Sequence, residues 1–114
     1  MHFLNRTAVV VVPKQRYLDW LHAADPAASR ISMGQIQQDP PVYLLPECNN
    51  DAEAEVHLRK VCKEIFAHEL DAWHRDSETW PRDLGFAEFR KRFDYSFHSV
   101  VIDLCRRPLS TEEF

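Results

Sequence analysis

Residues 50 to 75, NDAEAEVHLRKVCKEIFAHELDAWHR, constrain the fold more than any other stretch of the chain. Asn50 can cap a helix, Glu53 stands at the capping-box position, and Asp51 and Glu55 complement the positive end of the helix dipole. The spacing predicts one helix from Asp51 to near Arg75, about 37 Å long at ~1.5 Å per residue. One side of it is apolar: Leu58, Val61, Cys62, Ile65, Phe66 and Trp73 form the core stripe. The rest of the chain has to supply a layer for that stripe to lie against.

The remaining elements supply it by alternation. AVVVV, residues 8 to 12, is β-branched without helical spacing and reads as a strand buried on both faces. Pro13 stops it and opens an amphipathic helix in which Tyr17, Trp20, Leu21 and Ala24 recur at three- and four-residue spacing; Asp25-Pro26 ends that helix. Residues 27 to 41 stay open. SMGQIQQD is either a short helical turn opened by Ser32 or a weak edge strand. VYLL is a short strand ended by Pro46. After the long helix, SETWP is a break. A shorter helix from about Leu84 to Phe93 puts Phe86, Phe89 and Phe93 on one side, and FHSVVIDLC, residues 97 to 105, is a closing strand centred on Val100 to Ile102. The expected architecture is an α/β, two-layer α+β domain over residues 1–105, with a mobile polar tail over 106–114. Its sheet has three or four strands, with helices packed mainly on one face. If residues 29 to 37 pair as a strand, the order becomes the ferredoxin-like βαββαβ.

Composition removes several classes of function. A net charge of −4 argues against a surface built for phosphate backbones or anionic lipid, and the basic clusters Arg90-Lys91-Arg92 and Arg106-Arg107 are small. Nucleic acid and membrane are therefore not expected partners. No run reaches the ~18 apolar residues of a membrane span, and MHFLNRTAVVVVPK lacks a signal-peptide cleavage site. Cys48, Cys62 and Cys105 are odd in number and widely separated, without a CxxC pair, which suits a reducing cytoplasm. SMGQ and DLGF do not form phosphate-cradling loops, so no cofactor is expected.

The segment AHELDAWH resembles the start of a zinc-protease helix, but His68 and His74 are six residues apart, roughly 120° around the helix, and cannot share a metal. A second stripe, His57, Lys60, Glu64, His68, Asp71 and Arg75, could hold a metal through Glu64, His68 and Asp71. It reads more simply as a solvated face carrying i,i+4 ion pairs, so no bound metal is expected.

Glu69 is out of place, because it falls in the middle of the apolar stripe, and a bare buried carboxylate is costly. His98 alternates with Val100, Ile102 and Leu104 and so shares their face of the last strand. Glu69 and His98 are therefore expected to meet between helix and sheet, with Trp73 or Trp80 supplying an indole donor. Such a pair in an apolar pocket is half of a general-base arrangement. The structural reading, which is favoured, is a satisfied polar bridge locking helix to sheet, or two residues near the stripe's edge that never meet. Ser99 points to the other face, and Cys48 has no basic neighbour in sequence to activate it.

The phrases VYLLPE, EIFAHELDAWH, ETWP and DYSFHSVVIDL, in that order, resemble a family of small uncharacterised bacterial proteins. The resemblance spans most of the chain and implies a bacterial cytosolic protein, with no activity, cofactor or catalytic residue attached. The expected function is non-enzymatic and works through protein contacts, as a homodimer or with an unknown protein partner. Phe97 and Val101 are expected on the sheet face opposite His98, where an uncovered apolar surface would need a second molecule. The alternative is a small enzyme using Glu69 and His98 as an acid/base pair.

Overall fold

In the computed structural model, which describes residues 1–113, the chain forms a mixed α+β fold. The elements are β1 (His2–Phe3), β2 (Arg6–Pro13), α1 (Gln15–Ala24), α2 (Met33–Ile36), β3 (Val42–Pro46), α3 (Asp51–Trp73), α4 (Phe86–Arg92), β4 (Phe93–His98) and β5 (Ile102–Asp103). Single 3-10 turns lie at Pro26–Ala28 and Ser77–Thr79. β2 is the middle strand of a three-stranded sheet ordered β3-β2-β4, antiparallel to both neighbours. β1 and β5 pair separately as a two-stranded antiparallel ribbon. Among the described residues no helix is long and apolar enough to cross a membrane.

Asn50 caps α3 as its sequence requires, its side chain accepting from the Glu53 amide. The helix ends at Trp73, two residues before Arg75. Its buried side is Leu58, Cys62, Ile65, Phe66 and Leu70, joined by Tyr17, Leu18 and Leu21 of α1 and Phe89 of α4. All press on one sheet face, where Val9, Val11, Leu45 and Phe93 are sealed. Phe66, Phe89 and Phe93 meet with ring centroids 4.9 to 6.0 Å apart, close enough for favourable aromatic packing.

Three expectations are corrected and one open alternative is decided. β2 is sealed on one face only: Val9 and Val11 are fully buried, whereas Val10 and Val12 are half-buried on the other side. An antiparallel strand can leave one face toward water, which a parallel strand between helix layers cannot. Residues 33–36 take the helical option, closed by a reciprocal capping box between Ser32 and Gln35, so no fourth strand forms there and the ferredoxin-like order does not arise. Phe93 belongs to β4, because α4 stops at Arg92 and the chain passes into the strand without a loop. The closing strand therefore begins four residues before Phe97, and a break over residues 99–101 separates β4 from β5.

The last correction follows from that shift. Phe93, Tyr95 and Phe97 face the helices, while Asp94, Ser96 and His98 are exposed. Phe97 thus packs against the core and does not lie on an uncovered face, and Val101 is half-buried. Other apolar residues are exposed: Val42 and Leu44 on the outer side of β3, and Phe3, Val100, Ile102 and Leu104 on and beside the ribbon.

Candidate functional site

Glu69 projects from the last quarter of α3 into the space between α1, α3 and β3, and only 6% of it is exposed. It lies there because Ile65 and Phe66, one turn earlier, and Leu70 beside it are themselves core residues. Tyr43 comes from the inward-facing alternation of β3, next to buried Leu45. Its hydroxyl donates to Glu69 Oε2 at 2.8 Å. The same oxygen lies 2.8 Å from His68 Nδ1, and that nitrogen is 3.7 Å from Glu69 Oε2. From the α1 side, the buried Tyr17 hydroxyl donates to the Glu69 main-chain carbonyl, locking the two helices together at this point.

The electrostatics follow from burial. Desolvation pushes the Glu69 carboxyl above its ordinary range, and the Tyr43 hydrogen bond and nearby His68 pull it only part of the way back. Tyr17 and Tyr43 are pushed up by burial and then by the Glu69 charge, so both hydroxyls keep their protons. Tyr43 has a single proton to give. When Glu69 is ionised, that proton points to the carboxylate, and His68 Nδ1 must carry the proton for the second bond. When Glu69 is protonated, the chain of donors can reverse: Glu69 gives to Tyr43, and Tyr43 gives to an unprotonated His68 Nδ1. The same heavy atoms thus support two proton arrangements, linking a buried carboxyl to an imidazole that is mostly in solvent.

His68 and Tyr43 line a groove of about 710 Å³ between β3 and α3, together with Leu44, His57, Lys60 and Glu64. Glu113, from the segment expected to be a mobile tail, also lines it. On the far side of Glu69 a smaller cleft of about 310 Å³ is walled by Ile36, Pro41 and Trp73.

The expected trio of Glu69, Trp73 and His98 is not brought together. His98 lies on the exposed face of β4, and its Nε2 is 2.9 Å from Ser96 Oγ. His98 shares its parity with Val100, Ile102 and Leu104, but the break over residues 99–101 interrupts the strand and those residues are exposed, so they cannot place His98 against Glu69. Trp73 is the last residue of α3, 39% exposed, beside Glu69 in the cleft wall but outside the sealed core. The neighbouring indoles instead hold the 74–80 segment: Trp80 donates to the His74 carbonyl and Trp20 to that of Thr79. Sequence reasoning missed Tyr43 and His68 as partners of Glu69. The available signal was in VYLLP, where alternation puts Tyr43 on the same side as Leu45. His68 had been placed on the solvated stripe, which is where most of its side chain lies.

No protein-family model matches the chain, and neither a curated protein nor a solved structure is detectably similar to it.

Proposed function

We propose that the chain is a small protein-contact module that pairs with a second copy of itself through the outer face of its sheet and the β1–β5 ribbon. The observation that carries this reading is the exposed apolar residues of the outer sheet face and on and beside the ribbon: Val42 at 60%, Leu44 at 52%, Val100 at 65% and Phe3 at 71% exposure. Leaving such surface in water forgoes about 25 cal/mol per Å². A two-stranded ribbon is also marginal by itself in water, and no residue of this one belongs to the buried core.

Size and charge favour a second copy as the cover. Strands of eight, five and six residues at ~4.8 Å spacing and ~3.3 Å rise give a sheet face of roughly 300 Å². That is under half of the ~800 Å² each partner buries in a standard interface, and the ribbon supplies further area. The residues at and next to the ribbon include Arg6, Arg106 and Arg107 against Asp103, in a chain whose net charge is −4, so this end is more basic than the chain as a whole. A two-fold pairing would set each basic end against the more acidic remainder of the other copy. The three unpaired thiols suit a cytoplasmic setting for such a module.

Light scattering tests the proposal. The expected mass is near twice the 13.4 kDa of one chain, falling to one chain in Leu44→Lys and Ile102→Lys variants that keep the parent's circular dichroism. A mass of one chain throughout a dilution series from hundreds of micromolar downward would overturn it.

A second reading has one specific observation in its favour. The Glu69–Tyr43–His68 chain ends on a groove large enough for a small ligand. An acid/base role, if there is one, belongs to His68 acting through Tyr43, with His98 taking no part.

A further inference from the structure

We propose that Cys48, Glu53 and His57 form a binding site for one divalent transition-metal ion of the zinc class. Cys48 sits in the loop between β3 and α3. Glu53 is in the first turn of α3 and His57 one turn later, so the two helical residues share a face. The sulfur, a carboxylate oxygen and a ring nitrogen of the three lie within 4.8 Å of one another. In a tetrahedral zinc site the bond lengths put neighbouring donors about 3.5 Å apart. Closing the remaining gap of about 1 Å needs only side-chain rotation of Glu53 and His57, which are half-buried.

The surroundings suit that role. Cys48 is the fixed member: it is buried, and its amide donates to Thr7 Oγ1 at 2.9 Å. Its thiol donates to the Pro46 carbonyl at 3.0 Å, and this is the proton that metal binding would release to solvent as the S–metal bond forms. The Asn49 amide and side-chain amide both donate to Glu53 Oε2, at 3.3 Å each, which steadies the carboxylate through one oxygen and leaves Oε1 for the metal. Thiolate and carboxylate together neutralise a divalent charge. Sulfur and imidazole select zinc, cobalt or nickel over magnesium or calcium, which want oxygen alone. Three protein ligands leave a further position for water, and His57 also lines the groove between β3 and α3, so that position lies at the groove's end.

This proposal replaces the expectation of a metal-free protein. That expectation weighed histidine pairs and CxxC spacing and never set a loop cysteine against the helix that follows it. The site stands independently of self-association.

Titration of reduced, untagged, chelator-treated protein with cobalt(II) alone tests it. The expected result is one equivalent bound, with a sulfur-to-cobalt charge-transfer band in the near ultraviolet and visible bands of tetrahedral strength, displaced by zinc. Cys48→Ser should abolish the charge-transfer band. Glu53→Gln and His57→Ala should each weaken binding by more than the 10- to 100-fold that outer partners are worth. Cys105→Ser, which alters only an exposed thiol, should change nothing. If Cys48→Ser fails to fold, Glu53→Gln decides the matter, because Glu53 is half-exposed and the amide preserves its shape. Absence of the sulfur band in the parent, or unchanged affinity in Glu53→Gln, would overturn the proposal.

Discussion

At one end of the helical layer Glu69 is held by a tyrosine hydroxyl, with a mostly solvated histidine behind it. Elsewhere, where α4 meets α1, Glu88 accepts from Arg92 Nε at 2.7 Å and from Arg16 Nε at 2.8 Å, with Lys91 at 4.0 Å. Both carboxylates are largely covered, and burial works to raise both. Only at Glu88 do the two guanidinium groups overcome it and hold the carboxyl below its ordinary value of 4.5. Glu69 lacks a comparable cation and stays above that value. Burial therefore does not set the charge of a side chain by itself; the partners supplied by neighbouring elements do.

The comparison breaks most visibly if Glu88 is removed. Arg92 is nearly as enclosed as Glu88, and its Nη1 already has no partner, so Glu88→Ala strands a guanidinium. The expected loss is about 2–3 kcal/mol in chemical denaturation; a loss below 0.5 kcal/mol, on the order of an ordinary surface change, would mean the ion pair is not structural.

Glu69→Ala should cost less, about 1–2 kcal/mol. Tyr43 loses one acceptor but can turn its proton to His68 Nδ1, which already lies 2.8 Å away. A loss as large as that of Glu88→Ala would show that His68 cannot take over the bond.

The pH dependence sharpens the contrast, since the two residues carry opposite signs. For Glu69 the folded value is raised, so its contribution is complete below 4.5 and is lost as pH rises through the raised value. For Glu88 the folded value is lowered, so its contribution is present above 4.5 and is lost as pH falls through the lower value. Between pH 4.5 and 8, Glu69→Gln should therefore gain on the parent as pH rises. The deficit of Glu88→Gln should be largest at neutral pH and shrink in acid. Denaturation curves with parallel pH profiles for the two variants would contradict the assignment. Smallest of all, Glu64→Ala, on the exposed side of α3, should change stability by no more than about 0.5 kcal/mol.

What could be read from the sequence was mostly what is local. The capped start of α3, most of its apolar stripe and the displaced position of Glu69 follow from spacing within one helix, and the structure places them accordingly, except that Trp73 is exposed and Leu70 is buried instead. The partner of Glu69 does not, because Tyr43 reaches it from another element 26 residues away. The last strand misled for a different reason. Val100, Ile102 and Leu104 are apolar, and apolar alternation ordinarily marks the inward side. Phe93, Tyr95 and Phe97 alternate as well, and the larger aromatic set takes the helices. Had Phe93 been recognised as a strand residue, with Arg90-Lys91-Arg92 closing the helix before it, the phase would have been correct and His98 would have been assigned to solvent. The convergence of Cys48, Glu53 and His57 lay within ten residues, but it becomes visible only once the loop's path onto the helix is known.

The pairing between the ends of the chain changes register by one residue along its length. Ala8 stands opposite His98, whereas Phe3 stands opposite Ile102, with the Leu4 amide bonded to the Val101 carbonyl between the two ladders. The surplus residue falls on the β1–β2 side, as in a β-bulge. Such a break divides one long ladder into two cooperative units. The outer pair can open and reclose without taking a rung from the central sheet, so its amides exchange with solvent through local opening while those of Val9 and Val11 wait for global unfolding. A strand that can leave its own chain at that low cost is also one that can be exchanged between two chains.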